Sequence, residues 1–475
     1  MTALTPHVRL AARHGLEVLL VAGLLGGSSP AMAQSSSWRF TRVIAVGDSA
    51  PGPEGGTFGL LFPPAVNNKG DVALDGVTFP GGAFEEGVYI AGRGRPVAIT
   101  RFGRLAPGGG VFGGFGLFGS IGLNDSGEVA FSFGRDPVPQ PARPWQFGAG
   151  IYRRLSGESL KAVVVPHVTH APVGTTFEGA GFHATLNEDG DVAFAGVVDT
   201  DRGNPGSMAR DLGLGQGVFV SDRRGRITKV ASPGDDAPGG GTFDYAEEPW
   251  INDRGDVAFG GHIRGDECID VGGQGASFIF CGTSVYVKEH DGRIRSIAHQ
   301  GRPAPGGGTY RVAFGPVINN SGDILFGADL TPAPAGGDKL ALFLYRNGVT
   351  VPVARPGDRM PGGGRVLRAS YVPRNFDLNN ARDVVFDAAL DTTTDGQHDN
   401  GLYLWSKGKV SLIVRTGTVI HGLGVIRSLS PTAYGPLDYP LGYTAINDRG
   451  QVAFQADMFD GSNVVLLATP DDHDR

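Results

Sequence analysis

The chain has 475 residues, with 41 Lys and Arg against 48 Asp and Glu, a formal net charge of −7, 78 glycines and two cysteines. That mild acidity speaks against nucleic acid or an anionic membrane surface as a partner, since both need a basic face. The glycines follow no collagen period and cluster between short apolar runs, which is the composition of an all-β protein with many tight turns.

The first element is a secretory leader, residues 1–33. Arg9 and Arg13 make a positive start, Leu16 to Leu25 is a short apolar run, and Ala31-Met32-Ala33 is a small-x-small cleavage site, so the mature chain is expected to begin at Gln34. Cleavage removes two Arg and Glu17, leaving 442 residues with a net charge of −8. The apolar run is too short to span a bilayer, no second run of spanning length follows, and no Cys offers a lipid anchor. The expected location is periplasmic or extracellular. Residues 34–41 form a short lead, and residues 471–475 a polar tail.

Between them, an Asn-x-x-Gly-x-Val-Ala-Phe pattern recurs seven times, opening at Asn67, Asn124, Asn187, Asn252, Asn319, Asn379 and Asn447, with spacings of 57, 63, 65, 67, 60 and 68 residues. A supersecondary unit repeated at such a period means a ring or an array. Each unit reads as four strands, a to d. Strand a is a short aliphatic run such as Arg42–Val46 or Val97–Arg101. A connection follows, as in Ala106-Pro107-Gly108-Gly109-Gly110. Strand b runs up to the motif Asn, strand c is the Val-Ala-Phe segment, and strand d carries a central aromatic such as Tyr89, Tyr286 or Tyr403. The Asn opens a turn by bonding its own backbone two residues on, and the Gly takes the positive φ that closes it. Arg382 stands in place of that Gly in the sixth copy, so the sixth turn is expected to differ.

Short turns such as His290-Asp291-Gly292 and Ser406-Lys407-Gly408 join each d to the next a, so the two should pair in one sheet. The first a (Arg42–Val46) has no d before it, and the last d (Val464–Thr469) has no a after it. Pairing these two segments closes a ring. The expected fold is all-β: a seven-bladed β-propeller with four antiparallel strands per blade, one domain over residues 42–470, sealed by its N- and C-terminal strands. The competing architecture is an open β solenoid, whose ends would need caps.

In such a blade the b–c and d–a turns share one face. The a–b and c–d connections share the other, and there the c–d loops range from the long Val197–Gly217 and His262–Ser284 to the short Ala456–Asn463. Unequal loops on a rigid ring are a place for ligand binding.

The octapeptide Asn252-Asp253-Arg254-Gly255-Asp256-Val257-Ala258-Phe259, repeated behind Ala-Pro-Gly-Gly-Gly-Thr-Phe, resembles the bacterial NxxGxxAF tandem-repeat family of exported proteins, from about Arg42 to Pro470. The resemblance implies an exported or surface-displayed repeat protein. It supplies no catalytic residues.

Several residues carry possible chemistry. Cys268 and Cys281 lie in one loop of an exported chain, which points to a disulfide. Asp391, Asp395 and Asp399 make an oxygen-rich loop able to attract calcium, although Leu402 stands where a bidentate Glu would be needed; no other cofactor is expected. Gly108-x-Gly110-x-x-Gly113 imitates a dinucleotide fingerprint without the βαβ unit that would give it meaning. If strand b is innermost, His183, Glu247, Glu248 and Arg374 line the channel mouth, and strand alternation allows only one of the two glutamates to point inward. The whole reads as a non-catalytic binding or scaffolding propeller, with a protein or glycan ligand on the variable-loop face. The alternative is an extracellular hydrolase or lyase working on glycans or similar polymers with those channel carboxylates.

Overall fold

The computed structural model describes residues 37–471 apart from 53–55, 93, 114–120, 137–148, 200–213, 267, 271–278, 282, 333–339, 370–374, 395–396 and 430–444. The leader (residues 1–33), most of the long c–d loops, and Arg374 and Asp395 lie outside the described residues. Apart from one 3-10 turn at Pro80–Gly82, the regular structure described is all β. No helix among the described residues is long and apolar enough to cross a membrane.

Seven small antiparallel sheets form the blades of a propeller, numbered here by their motif from Asn67 (blade 1) to Asn447 (blade 7). Within a blade the order is b–c–d–a. In blade 4, Phe243–Ile251 pairs with Val257–Ile263, which pairs with Ser284–Lys288, which pairs with Ile294–Ala298. The b strands of successive blades touch one another in an unbroken ring, so b is innermost. Blade 7 takes its outermost strand from the other end of the chain. Trp38–Ala45 runs antiparallel to Asn463–Pro470, in register from Trp38 opposite Pro470 to Ala45 opposite Val464. This strand begins at Trp38, ahead of the expected Arg42, and Trp38, Ile44 and Ala45 are buried in it. Sealing the ring in this way pairs the Asn463–Pro470 strand on both sides, so that it is not left as a sheet edge.

The core repeats with the sequence. In blades 2 to 5 the motif Phe of strand c stacks on the aromatic of strand d, and an aromatic of strand b meets that ring edge-on. Phe259 lies 5.6 Å from Tyr286, and Phe243 lies 5.0 Å from the same ring at 83°. Phe194, Phe219 and Phe177 repeat the arrangement in blade 3. These edge-to-face and offset contacts suit the aromatic quadrupole. They also leave no room behind: a Cβ on Gly261 would sit 2.7 Å from the Phe243 ring.

The motif turn builds the other half of the architecture. Asn252 Oδ1 accepts the backbone N–H groups of Arg254 (3.0 Å) and Asp256 (2.9 Å), as expected for a local turn. Its Nδ2 leaves the blade and donates to the carbonyl of Asn319 in blade 5 at 3.0 Å. Each motif Asn does the same to the next, from Asn67 to Asn447, and Asn447 donates to the carbonyl of Asn67, at 2.7–3.2 Å around the ring. A second ring lies beside it. The backbone N–H groups of Asn68, Asp125, Glu188, Asp253, Asn320, Asn380 and Asp448 each donate to the side-chain oxygen of the next member at 2.7–2.9 Å, and the last donates to Asn68. One face of the propeller is therefore laced by two closed circles of hydrogen bonds.

The sixth turn does not differ from the others. Arg382 takes the left-handed φ of 70°, and its N–H donates to the carbonyl of Asn379 at 3.1 Å, as glycine does elsewhere. The backbone cost, about 1–2 kcal/mol, is offset by its guanidinium, which meets the buried Asp323 of blade 5 at 2.7 Å.

Candidate functional site

The innermost strands are interrupted midway. Register shifts fall between Ala180 and Ala184 in blade 3, Glu247 and Trp250 in blade 4, and Phe314 and Val317 in blade 5. Blades 1 and 6 have strand b in two pieces at this level, Phe58–Leu61 with Ala65–Val66 and Val366–Arg368 with Phe376–Leu378. A bulge frees its residues from the alternation of a strand and re-aims their side chains.

His183, Glu248 and Gly315 occupy these bulges, midway along the inner strands of blades 3, 4 and 5. Glu248 adopts a left-handed φ of 50°, and its Oε2 accepts the N–H of Gly315 in blade 5 at 2.7 Å. Thr185, two residues past His183, donates its hydroxyl to the carbonyl of Pro249 at 3.3 Å. Regular strand alternation does not run through this bulge. The two carboxylates interact, and Glu247 has its pKa pushed up to about 8, first by burial and then by the charge of Glu248. Both are half-buried.

A cluster that strand patterning misses adjoins them. Tyr245 pairs across the sheet with His262, and their rings stack at 5.3 Å. His262 is 1% exposed, neither ring nitrogen has a hydrogen-bond partner among the described residues, and burial holds its pKa below the usual value. Asp244 Oδ2 stands 3.8 Å from His262 Nδ1, while its Oδ1 takes the Arg264 guanidinium at 2.7 Å. Burial, followed by the charges of Glu247, Glu248 and Asp244, drives the Tyr245 hydroxyl well above its ordinary pKa, so it stays a phenol. The sequence places His262 at the start of a loop. In the structure strand c simply continues through Gly260-Gly261-His262-Ile263, and the small residues there were the available signal.

The calcium candidates do not converge in what is described. Asp391 is exposed, and its Oδ1 accepts the N–H of Arg365 at 2.7 Å. Asp399 is buried against Arg415, Nη2 to Oδ2 2.8 Å. Arg415 in turn donates to the carbonyl of Gly362, so this pair fastens a Pro-Gly-Gly-Gly connection. Among the described residues no group of three His, Cys, Asp or Glu is arranged to hold a metal. Cys268 and Cys281 face each other in the backbone register of the small hairpin Cys268–Asp270 with Ile279–Cys281.

What the inner-strand set can do is hold one proton near neutrality. Because the pKa of Glu247 is raised in the folded chain, its contribution to stability is complete below about pH 4.3, the unfolded value, and is lost as pH rises through about 8. Glu247→Gln is therefore expected to match the parent at pH 4 and to exceed its stability at pH 9, by roughly 1–2 kcal/mol once partial access of water is allowed for. Urea unfolding at the two pH values checks this; equal stability at pH 9 contradicts it.

Several solved structures are similar to this chain. The Pyrococcus horikoshii acylaminoacyl peptidase matches at 12% identity with a TM-score of 0.42 over 84% of this chain and 49% of that one, so the chain spans about half of its length. A gluconolactonase from Xanthomonas campestris matches at 10% identity and a TM-score of 0.34, over 91% of this chain and 100% of that one. An ulvan lyase, a polysaccharide lyase, matches at 11% identity and a TM-score of 0.42, over 90% and 95% of the two chains. No curated protein matches by sequence. A family model matches residues 26–278 and 273–456, nearly the whole propeller, and the chain belongs to that family, the family of unknown function DUF7453.

Proposed function

We propose that this protein is an exported binding or scaffolding propeller that takes a protein or glycan ligand on the face of its a–b and c–d connections, and that it does so without turning the ligand over. The observation that carries this reading is the mechanical asymmetry of the ring. Two closed circles of hydrogen bonds brace the motif face, and the antiparallel strand order b–c–d–a brings the strand ends that the a–b and c–d connections join to the other face. A rigid scaffold presenting variable loops is a general design for recognition. The leader sequence and the resemblance to exported NxxGxxAF proteins support the location.

The test is a glycan array together with a protein capture screen on the chain from Gln34. Replacing residues 200–213 by a two-residue Asp-Gly turn is expected to abolish a hit while leaving the melting temperature within a few degrees. Retention of every hit after each long c–d loop has been shortened in turn overturns the assignment to this face.

The second reading, hydrolysis or elimination on a glycan, is favoured by one observation: a carboxyl with a pKa of about 8 beside a second carboxylate is a general acid at neutral pH. Turnover of a polysaccharide that Glu247→Gln abolishes would replace the binding reading by this one.

The facing cysteines are proposed to be bonded in the exported protein. Alkylation of the unreduced, denatured chain is expected to label neither Cys268 nor Cys281, and prior reduction to label both. Labelling without reductant refutes the bond.

A further inference from the structure

On the braced face, between blades 4 and 5, lies a groove of about 470 Å³, a size in the range of small-ligand sites. Val287 and Ile318 form its apolar floor, and Arg254, Arg293 and Arg295 stand around it. Three guanidiniums face two lining carboxylates. Glu289 bridges two of them: its Oε2 accepts from Arg293 (Nε 2.9 Å, Nη2 2.8 Å) and its Oε1 from Arg295 (Nε 3.0 Å, Nη2 2.8 Å). Arg295 is fixed further, donating through Nη1 to the Tyr345 hydroxyl at 2.7 Å. Arg254 holds Asp256 Oδ2 through Nε (3.0 Å) and Nη2 (2.6 Å). The Nη1 groups of Arg254 and Arg293 donate to nothing among the described residues, and both side chains are solvent-accessible, 48% and 66% exposed. The next carboxylate outward, Asp291, is 3.8 Å from Arg293.

Two other junctions are bridged by an arginine of the later blade. Between blades 5 and 6, Arg382 of the later blade crosses to Asp323 of the earlier one at 2.7 Å. Between blades 2 and 3, Arg223 crosses to Glu128 at 3.0 Å. Between blades 4 and 5 the position of Arg382 is held by Gly322, as it is by Gly in every other copy of the motif; Arg254 lies over Gly322 and returns its guanidinium to Asp256 of its own blade. Arg254 and Arg293 thus stand beside a groove floored by Val287 and Ile318.

We propose that this groove is a binding site for a small ligand carrying an oxyanion, a carboxylate or a phosphate, gripped by Arg254 and Arg293, with its body over Val287 and Ile318. Planar guanidinium forks with free N–H donors match both anions in geometry and charge. The site is lined by residues of the motif and d–a turns and the strands leading into them and is independent of the function proposed above.

Titration calorimetry of the full chain at low ionic strength tests it with three probes: inorganic phosphate, D-glucuronate and glucose. Binding of at least one anion and none of glucose is expected; preference for phosphate or for glucuronate tells which source of oxyanion the groove suits. Arg293→Ala, at an exposed position that should not disturb folding, is expected to weaken binding about tenfold, and Arg254→Ala to add to that loss. Glu289→Gln removes the internal competitor for Arg293 and Arg295, and is expected to tighten binding about threefold. No anion binding at 20 mM, affinity unchanged in Arg293→Ala, or weaker binding in Glu289→Gln overturns the proposal.

Discussion

Deleting residues 37–46 is expected to abolish cooperative folding, leaving a chain that aggregates and shows no single urea transition. The segment supplies the outer strand of blade 7, with Trp38, Ile44 and Ala45 buried at 4%, 0% and 3% exposure. Loss of that apolar burial alone costs about 5 kcal/mol, of the order of the whole stability of an ordinary domain. The deletion also bares the Asn463–Pro470 strand, where Val464, Val465 and Leu466 would lie on an unpaired edge open to pairing with another chain. A permuted chain provides the control. The N–H of Asp471 donates to the carbonyl of Ser37 at 3.0 Å, so the two ends are adjacent. Joining them through a short glycine linker and opening the chain at Lys407, in the d–a turn of blade 6, turns the clasp into an ordinary hairpin. That permutant is expected to melt within a few degrees of the parent. A deletion mutant that melts like the parent would refute closure by the terminal strands.

The second large effect is expected at the motif asparagines. Asn252 is 3% exposed and uses its whole amide: Oδ1 accepts two N–H groups of its own turn, and Nδ2 donates to the Asn319 carbonyl and to Asp256. Asn252→Ala strands the N–H groups of Arg254 and Asp256 and removes one donor each from the Asn319 carbonyl and Asp256 Oδ2, which should cost about 2–4 kcal/mol. Asn252→Asp keeps the acceptor but sets a carboxylate against the Asn319 carbonyl and against Asp256, and should destabilise at least as much at pH 7. Urea denaturation of both variants decides. A loss under 1 kcal/mol in each would mean that the ring of side-chain amides follows from the fold and contributes nothing to it.

The turn role of these asparagines was legible, because an Asx turn is written in adjacent residues. The cross-blade bond was not, because the partners are 57 to 68 residues apart, at spacings that vary with the loops between them. The inner-strand site was half legible. Glu247, Glu248 and His183 are legible as polar residues on the strand nearest the axis, but the bulge that interrupts their alternation is not, because a bulge has no reliable mark in local sequence. His262 escaped because its isolation is a property of what surrounds it. Asp391 and Asp399 suggested a shared ion when read as neighbours. In the structure Asp391 accepts the Arg365 N–H and Asp399 pairs with Arg415, while Asp395 lies outside the described residues.

The number of blades, the strand order within them and the clasp between the two ends follow from the primary chain, since they depend on a periodic pattern and on which half-hairpins lack a partner. The two hydrogen-bonded rings, the raised pKa of Glu247 and the groove beside Gly322 exist only in the assembled propeller. Each depends on distances between blades, and those distances are set by aromatic packing and loop length acting together around a closed circle.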